Sequence, residues 1–295
     1  MIEVLSAEHS VVNLCRVLEV SRSAYYAYRG GFTYVLQGQK QWLAEEVRRV
    51  FESHKRRYGS RRVREELLDE GWKVGRYQVA QRMKEQGLIA IQPKSFVPKT
   101  TQSHPHLRRS PNLLLETDNQ PIAPNEVIVG DITYLPNQPV GGTSGDKWLF
   151  LAVWLDLFSR RIVGWQIDEH MEEQLVMAAL GQVLRHRTVS SGLIVHSDGG
   201  GQYGSNAFRE LLAAHEFRQS MTRKNNHYDN AHIESLFSRF KAELLTDTKF
   251  YGLEDAYYKC FEYIEGYYNT IRKHSSIGYI SPIQFEERFW AEHGS

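Results

Sequence analysis

The stretch EVIVGDITYL, residues 126–135, decides the fold. It is apolar and β-branched almost throughout, so it reads as a buried strand. Yet Asp131 lies at its middle. A charge there is costly unless it is hydrogen-bonded, paired or engaged by a metal. Two similar runs follow, KWLFLAVWLDLF (147–158) and RRIVGWQI (160–167), giving three consecutive strands. Beyond them come a helical stretch at Glu172–Arg187, a short strand LIVHSD (193–198) and a helix at Asn206–His215. A further strand, FRQSMT (217–222), leads into a helix over 230–246. The order βββαβαβα predicts an α/β domain: an antiparallel meander beside parallel strands reached through helical crossovers, a mixed sheet flanked by helices.

Upstream the grammar is all-α. In SVVNLCRVLEVSRSAYYAYR (10–29), Val12, Cys15 and Leu18 form an apolar stripe, and Ser21 caps a second helix that bears Arg22 and Arg29. This is a helix-turn-helix pattern. A third helix is expected over Gln39–His54, with Leu43, Val47 and Phe51 on its inner face. A second helix-turn-helix candidate follows, with Ser60 as its cap, Gly71 as its stop, and Val79 and Met83 in its second helix. Six of the ten residues from Lys55 to Arg64 are basic. Arg56, Arg57, Arg61, Arg62 and Arg64 are either a solvated helix face or a surface for phosphates, and their place between two helical hairpins favours phosphate. Residues 90–120 lack periodicity and read as a linker or an extended arm. The expected organisation is therefore a helical DNA-binding region over 1–89, a linker over 90–120 and the mixed α/β domain over 121–295 with a helical tail.

Charge follows the same division. Residues 1–120 carry 20 Lys/Arg against 13 Asp/Glu, and residues 121–295 carry 16 against 22. A basic front half on an acidic back half suits a nucleic-acid grip joined to something that uses carboxylates. The longest apolar run, Trp148–Leu155, is far short of the roughly 18 residues of a membrane span, and MIEVLSAEHS has no secretory-leader pattern. Only Cys15 and Cys260 are present. That count excludes a disulfide framework or a cysteine-rich zinc site and fits a reducing cytoplasm.

Two more carboxylates stand out. Asp198 ends LIVHSD, where sites in α/β sheets gather. Glu234 lies in a helix whose apolar stripe is Ile233, Leu236, Phe237, Phe240 and Leu244. At 100° per residue, Glu234 and Lys241 share one flank of that stripe, about two turns apart. Taken singly, Asp131 could be a satisfied buried acid, Asp198 a turn cap and Glu234 a surface residue. Together, on a central strand, a neighbouring strand end and a flanking helix, they suit two Mg²⁺ ions and an in-line phosphoryl displacement. The glycines of HSDGGGQYGS (196–205) fit neither a P-loop nor a dinucleotide frame; they leave Asp198 open to close approach. Asp156 reads as fixing the turn into SRR, and GYYNTIRKHSSIGYISP (266–282) as packing. His227 and His232 lack the HExxH spacing and read as capping or DNA-facing groups.

The residues that carry this chemistry resemble the DDE transposases of the insertion-sequence-three family, in particular their second-reading-frame product. The matching segments are GDITYL (130–135), LDLFSRRIVGW (155–165), HSDGGGQY (196–203), YDNAHIESLFSRFKAE (228–243) and HSSIGYISPIQFE (274–286). RVLEVSRSAYYAYR (16–29) and RRYGSRRVREELLDEG (56–71) resemble the family's helix-turn-helix segments. Thirty-five residues lie between Asp198 and Glu234, the family's spacing. The resemblance implies a ribonuclease-H-like catalytic domain in which Asp131, Asp198 and Glu234 are catalytic metal ligands and Lys241 contacts DNA. It implies cleavage and strand transfer at the inverted-repeat ends of an insertion sequence, dependent on two Mg²⁺ ions for which Mn²⁺ substitutes. Its partners would be element ends, target DNA, further copies in a synaptic complex and a first-frame fusion or partner, all in the bacterial cytoplasm at the nucleoid. Two positions depart from the family: Gly199 stands where a basic or polar residue is common, and Ile128 where tryptophan is usual. The rival reading is a non-catalytic DNA-binding regulator made from the second frame, which would have no use for the acidic triad. A nuclease without strand transfer would have no use for the helix-turn-helix pair.

Overall fold

The computed structural model describes residues 1–93, 109–138, 148–223 and 226–294, with backbone only for 32–37 and 227–228. It falls into two compact units, Met1–Ile91 and Gln92–Ser295.

The first unit has six helices: α1 (Ile2–Leu5), α2 (Val11–Val17), α3 (Arg22–Arg29), α4 (Phe32–Ser53), α5 (Ser60–Asp69) and α6 (Arg76–Glu85). The side chains of Ser10 and Ser21 accept from the backbone N–H groups of Asn13 and Ala24, which satisfies donors that a helix start leaves unpaired. Helices α4, α5 and α6 enclose Val47, Val50, Phe51, Val63, Leu67, Val79 and Met83. Gly71, at φ +89°, turns the chain after α5. Two boundaries differ from expectation. Helix α4 begins at Phe32 behind a left-handed Gly31, seven residues ahead of Gln39, because the helix runs on before its inward stripe begins. Gly59, and not Ser60, is the N-cap of α5, and no side chain caps it.

The second unit is built on five strands: β1 (Val127–Pro136), β2 (Trp148–Asp156), β3 (Ile162–Asp168), β4 (Ile194–Ser197) and β5 (Arg218–Met221). Their order is β3-β2-β1-β4-β5. The pairs β1/β2 and β2/β3 are antiparallel, and β1/β4 and β4/β5 are parallel. Helix α7 (Glu173–His186) crosses from β3 to β4, and α8 (Gly201–Gly204) with α9 (Asn206–Ala214) crosses from β4 to β5. After β5 come α10 (Ala231–Leu245), α11 (Leu253–Tyr263) and α12 (Pro282–His293). This is the mixed, helix-flanked sheet of the ribonuclease-H-like fold.

Alternation along β1 divides the core. Ile128 packs with Ala152, Trp154 and the inner faces of α7 and α9. Val127, Val129 and Leu135 pack with Val153, Leu155 and the Ile233–Leu244 stripe of α10. Asp131 shares the parity of Val129 and therefore faces α10. Gly130, of the other parity, lies beneath the indole of Trp154.

The tail reaches the start of β3. A π-helical turn at Ile264–Tyr268 brings Asn269 against Ile162, where its carboxamide accepts from the backbone N–H and donates to the C=O, both at 2.9 Å. Residues 109–120 depart from the expected linker. Pro111 O accepts from Met221 N, and Leu113 N donates to Ser220 Oγ, so this segment runs along β5. Leu113 and Leu114 supply the apolar contact that holds it there. Residues 94–108 of the expected linker lie outside the described residues.

Candidate active site

Strand register brings the first two carboxylates together. Gly130 is paired with Ser197 across the parallel β1/β4 ladder. Asp131 and Asp198 are each the next residue, and the Asp198 charge reaches Asp131. Each keeps one oxygen oriented by backbone: Asp131 Oδ1 accepts from Ile132 N at 2.8 Å, and Asp198 Oδ1 from Gly200 N at 2.9 Å. Among the described residues no hydrogen bond reaches the other oxygen of either. A Cβ on residue 200 would lie 2.9 Å from Asp198 Oδ1, so the backbone comes this close only because residue 200 is glycine.

The electrostatics are those of crowded acids. Burial pushes the Asp131 carboxyl well above the carboxylate range, and the charges of Asp198 and Glu234 push it further, against the Ile132 N–H and Lys241. Burial also raises Asp198, against the Gly200 N–H and the charge of Arg109. The Lys241 ammonium is lowered by burial while Asp131 draws it up. Glu234 and Lys241 of α10 thus act on one carboxylate, as their shared flank requires. Two carboxylates with spare oxygens in a low-dielectric recess suit a hard divalent cation. Among the described residues, no three His, Cys, Asp or Glu side chains are gathered closely enough to hold a metal ion.

Other acids and histidines near the sheet have partners of their own. Asp156 Oδ1 accepts from Phe158 N, Ser159 N and Ser159 Oγ, and its Oδ2 from Asn125 N, which fixes the β2–β3 turn. His196 is buried in β4 against Ser220 Oγ at 2.8 Å, and burial pushes its pKa down to about 4. His232, exposed on α10, meets the Arg160 guanidinium at 3.0 Å. The His227 side chain lies outside the described residues. Arg272 and Glu243 form a buried ion pair that packs the tail against α10.

In the helical unit, the basic residues separate by exposure. Arg56 and Arg61 are exposed, as are Arg22 and Arg29 on α3. Arg57 and Arg62 are half-buried, with the Arg62 guanidinium 5.6 Å from the centre of the Tyr58 ring. Arg64 braces the helical turn: its Nε donates to Val74 O and its Nη1 to Glu65.

Two residues near the acids escaped the reading of the sequence. Tyr203, buried from α8 between Trp154 and Phe208, lies close enough for Asp131 and Asp198 to raise its pKa further after burial. Arg109 arrives at Asp198 from 89 positions upstream, and no periodicity could signal that.

Comparison with known proteins shows the family. Models described as integrase core domain match residues 121–227 and 215–282, and one described as HTH-like domain matches 39–96. The chain is 38% identical over 289 residues to the transposase InsF for insertion sequence IS3A of Escherichia coli K12, covering 97% of each. It is 38% identical over 251 residues to the transposase for insertion sequence element IS904 of Lactococcus lactis, covering 85% of this chain and 96% of the relative. Among solved structures, the HTLV-2 integrase catalytic core in complex with magnesium matches at a TM-score of 0.39 and 17% identity, over 57% of this chain and 98% of that one. With an integrase core, a helix-turn-helix-like segment and 38% identity to InsF over 97% of both chains, the chain belongs to the IS3 family of insertion-sequence transposases.

Proposed function

We propose that this transposase cuts and joins DNA at the ends of its own insertion sequence, with Asp131, Asp198 and Glu234 as ligands for two Mg²⁺ ions. The observation that supports it best is the position of Asp131 and Asp198, each one residue beyond the Gly130–Ser197 pair of β1 and β4, with the Asp198 charge disfavouring ionisation of Asp131. Bound there, the metal supplies positive charge to activate the attacking oxygen and to stabilise the leaving one. Mn²⁺, with the same taste for oxygen ligands, would substitute. The chain's own groups do the rest. The Ile132 and Gly200 N–H groups aim the two aspartates. Lys241, a compact cation beside Asp131, holds a DNA phosphate in the recess. The helical region, taken as 1–89, holds the element end through Arg56, Arg57, Arg61 and Arg62 and through Arg22 and Arg29, with Arg64 bracing the helices. The domain from 121 onward carries the chemistry. Joining two ends calls for further copies of the chain, and a first-frame product is the expected partner or fusion. Among the described residues no helix is long and apolar enough to cross a membrane.

The test is cleavage and strand transfer by the full chain with Mg²⁺ on duplexes taken from the ends of its element. Asp198→Ala and Glu234→Ala abolish both reactions while DNA binding persists. Wild-type activity no greater than that of either variant overturns the catalytic assignment and leaves a DNA-binding regulator.

A further inference from the structure

The guanidinium of Arg109 lies on the backbone of Gly199. A Cβ on residue 199 would sit 2.5 Å from its Cζ and Nη2 and 2.9 Å from its Nη1. The group is seated from two sides. Its Nη1 donates to Thr222 O at 3.3 Å, and Thr222 N in turn donates to Ser197 O at 3.0 Å, at the ends of β5 and β4. The chain that brings it there is pinned by Ser110 Oγ on Gln219 and by Pro111 O on Met221 N. Among the described residues Arg109 makes no ion pair, and Thr222 O is its one hydrogen-bond acceptor. It is exposed, and its charge acts on Asp198.

A guanidinium has five N–H donors in a rigid fork matched to phosphate. Here one N–H is bonded to protein, and the exposed guanidinium lies against Gly199 with its charge acting on Asp198. A purely structural latch would spend its donors on the protein. We propose that Arg109, seated on Gly199, is the DNA-contacting residue on the Asp198 side of the site, donating to a backbone phosphate of the strand that lies over the acids. The inference rests on the catalytic reading above. Gly199 is part of the device, because any side chain there takes the guanidinium's seat.

The test uses the full chain and a duplex from the end of its element. Binding is titrated against salt in chelator, and cleavage is measured with Mg²⁺. Arg109→Gln lowers the salt slope by about one and slows cleavage at sub-saturating DNA by on the order of tenfold. Arg109→Lys restores the slope without restoring the full rate. Gly199→Ala slows cleavage, and the Arg109→Gln/Gly199→Ala double variant is no worse than Arg109→Gln alone, since both act at one seat. An unchanged salt slope in Arg109→Gln overturns the proposal even if the rate falls, and so does additivity of the two substitutions. If wild type cleaves no better than Asp198→Ala, the catalytic reading fails, while the chelator titration, which needs no chemistry, still decides the phosphate contact.

Discussion

Gly130 and Trp154 are paired across β1 and β2, and the indole fills the space that a Cβ on residue 130 would need. That Cβ would lie 2.3 Å from the ring. The glycine next to Asp131 is therefore a packing requirement, since Trp154 also closes against Tyr203 and Phe208. Gly130→Ala is expected to destabilise the catalytic unit by about 1–3 kcal/mol through overpacking. In a Trp154→Leu background the same substitution costs much less. Urea midpoints of the four proteins check this, and additive costs would refute the contact.

The basic helical residues are expected to divide as their surroundings do. Arg56→Gln and Arg61→Gln, at exposed positions, weaken binding to element ends and lower the salt slope by about one per lost phosphate contact, with the melting temperature unchanged. Arg64→Gln instead lowers the melting temperature, because its Nε holds the Val74 carbonyl in the turn ahead of α6. Fluorescence anisotropy against salt, alongside thermal melts, separates the two classes.

How far the sequence disclosed this arrangement depends on the range of the interaction. EVIVGDITYL announces a buried strand from local composition, and Asp131 stands out by contradicting it. Glu234 and Lys241 fall on one flank of α10 from helical period alone, and both act on Asp131. Arg109 on Gly199 has no such signature, since neither residue type nor spacing shows that the segment before the sheet runs back along β5. The same holds for Asn269, whose carboxamide reaches the start of β3 from 107 positions away. Ser60 shows the limit of local signals, being a good cap displaced one position by Gly59.

Glu286 anchors α12 to the sheet. It accepts from Arg187 at 2.8 and 3.0 Å, from Arg161 at 2.7 Å and from Ser159 Oγ at 2.7 Å. Burial raises its pKa, but the hydrogen bonds and charge of Arg187, with Ser159 and Arg161, outweigh burial and hold the carboxyl below its ordinary 4.5. A carboxyl lowered on folding contributes stability that is complete above the unfolded value and is lost as pH falls through the folded one. Glu286→Gln should therefore cost about 3 kcal/mol near neutral pH, with Arg187 left buried and uncompensated. The cost should shrink as pH drops below about 4.5. Urea denaturation of both proteins across that range gives the curve, and a pH-independent gap would contradict it.

Asp131 is held where its charge is disfavoured by burial first and by Asp198 next. The amide of Asp131→Asn keeps the shape and can still accept from Ile132 N, but removes the charge. In chelator near neutral pH the variant should be more stable than wild type, by on the order of 1 kcal/mol, the usual exchange of activity for stability at a strained site. Added Mg²⁺ should then raise the wild-type melting temperature by mass action and leave the variant nearly unmoved. Thermal melts with and without Mg²⁺ measure both effects. A variant less stable than wild type in chelator would mean that Asp131 is a satisfied structural acid, and an equal Mg²⁺ response in the two proteins would remove it from the metal-binding set.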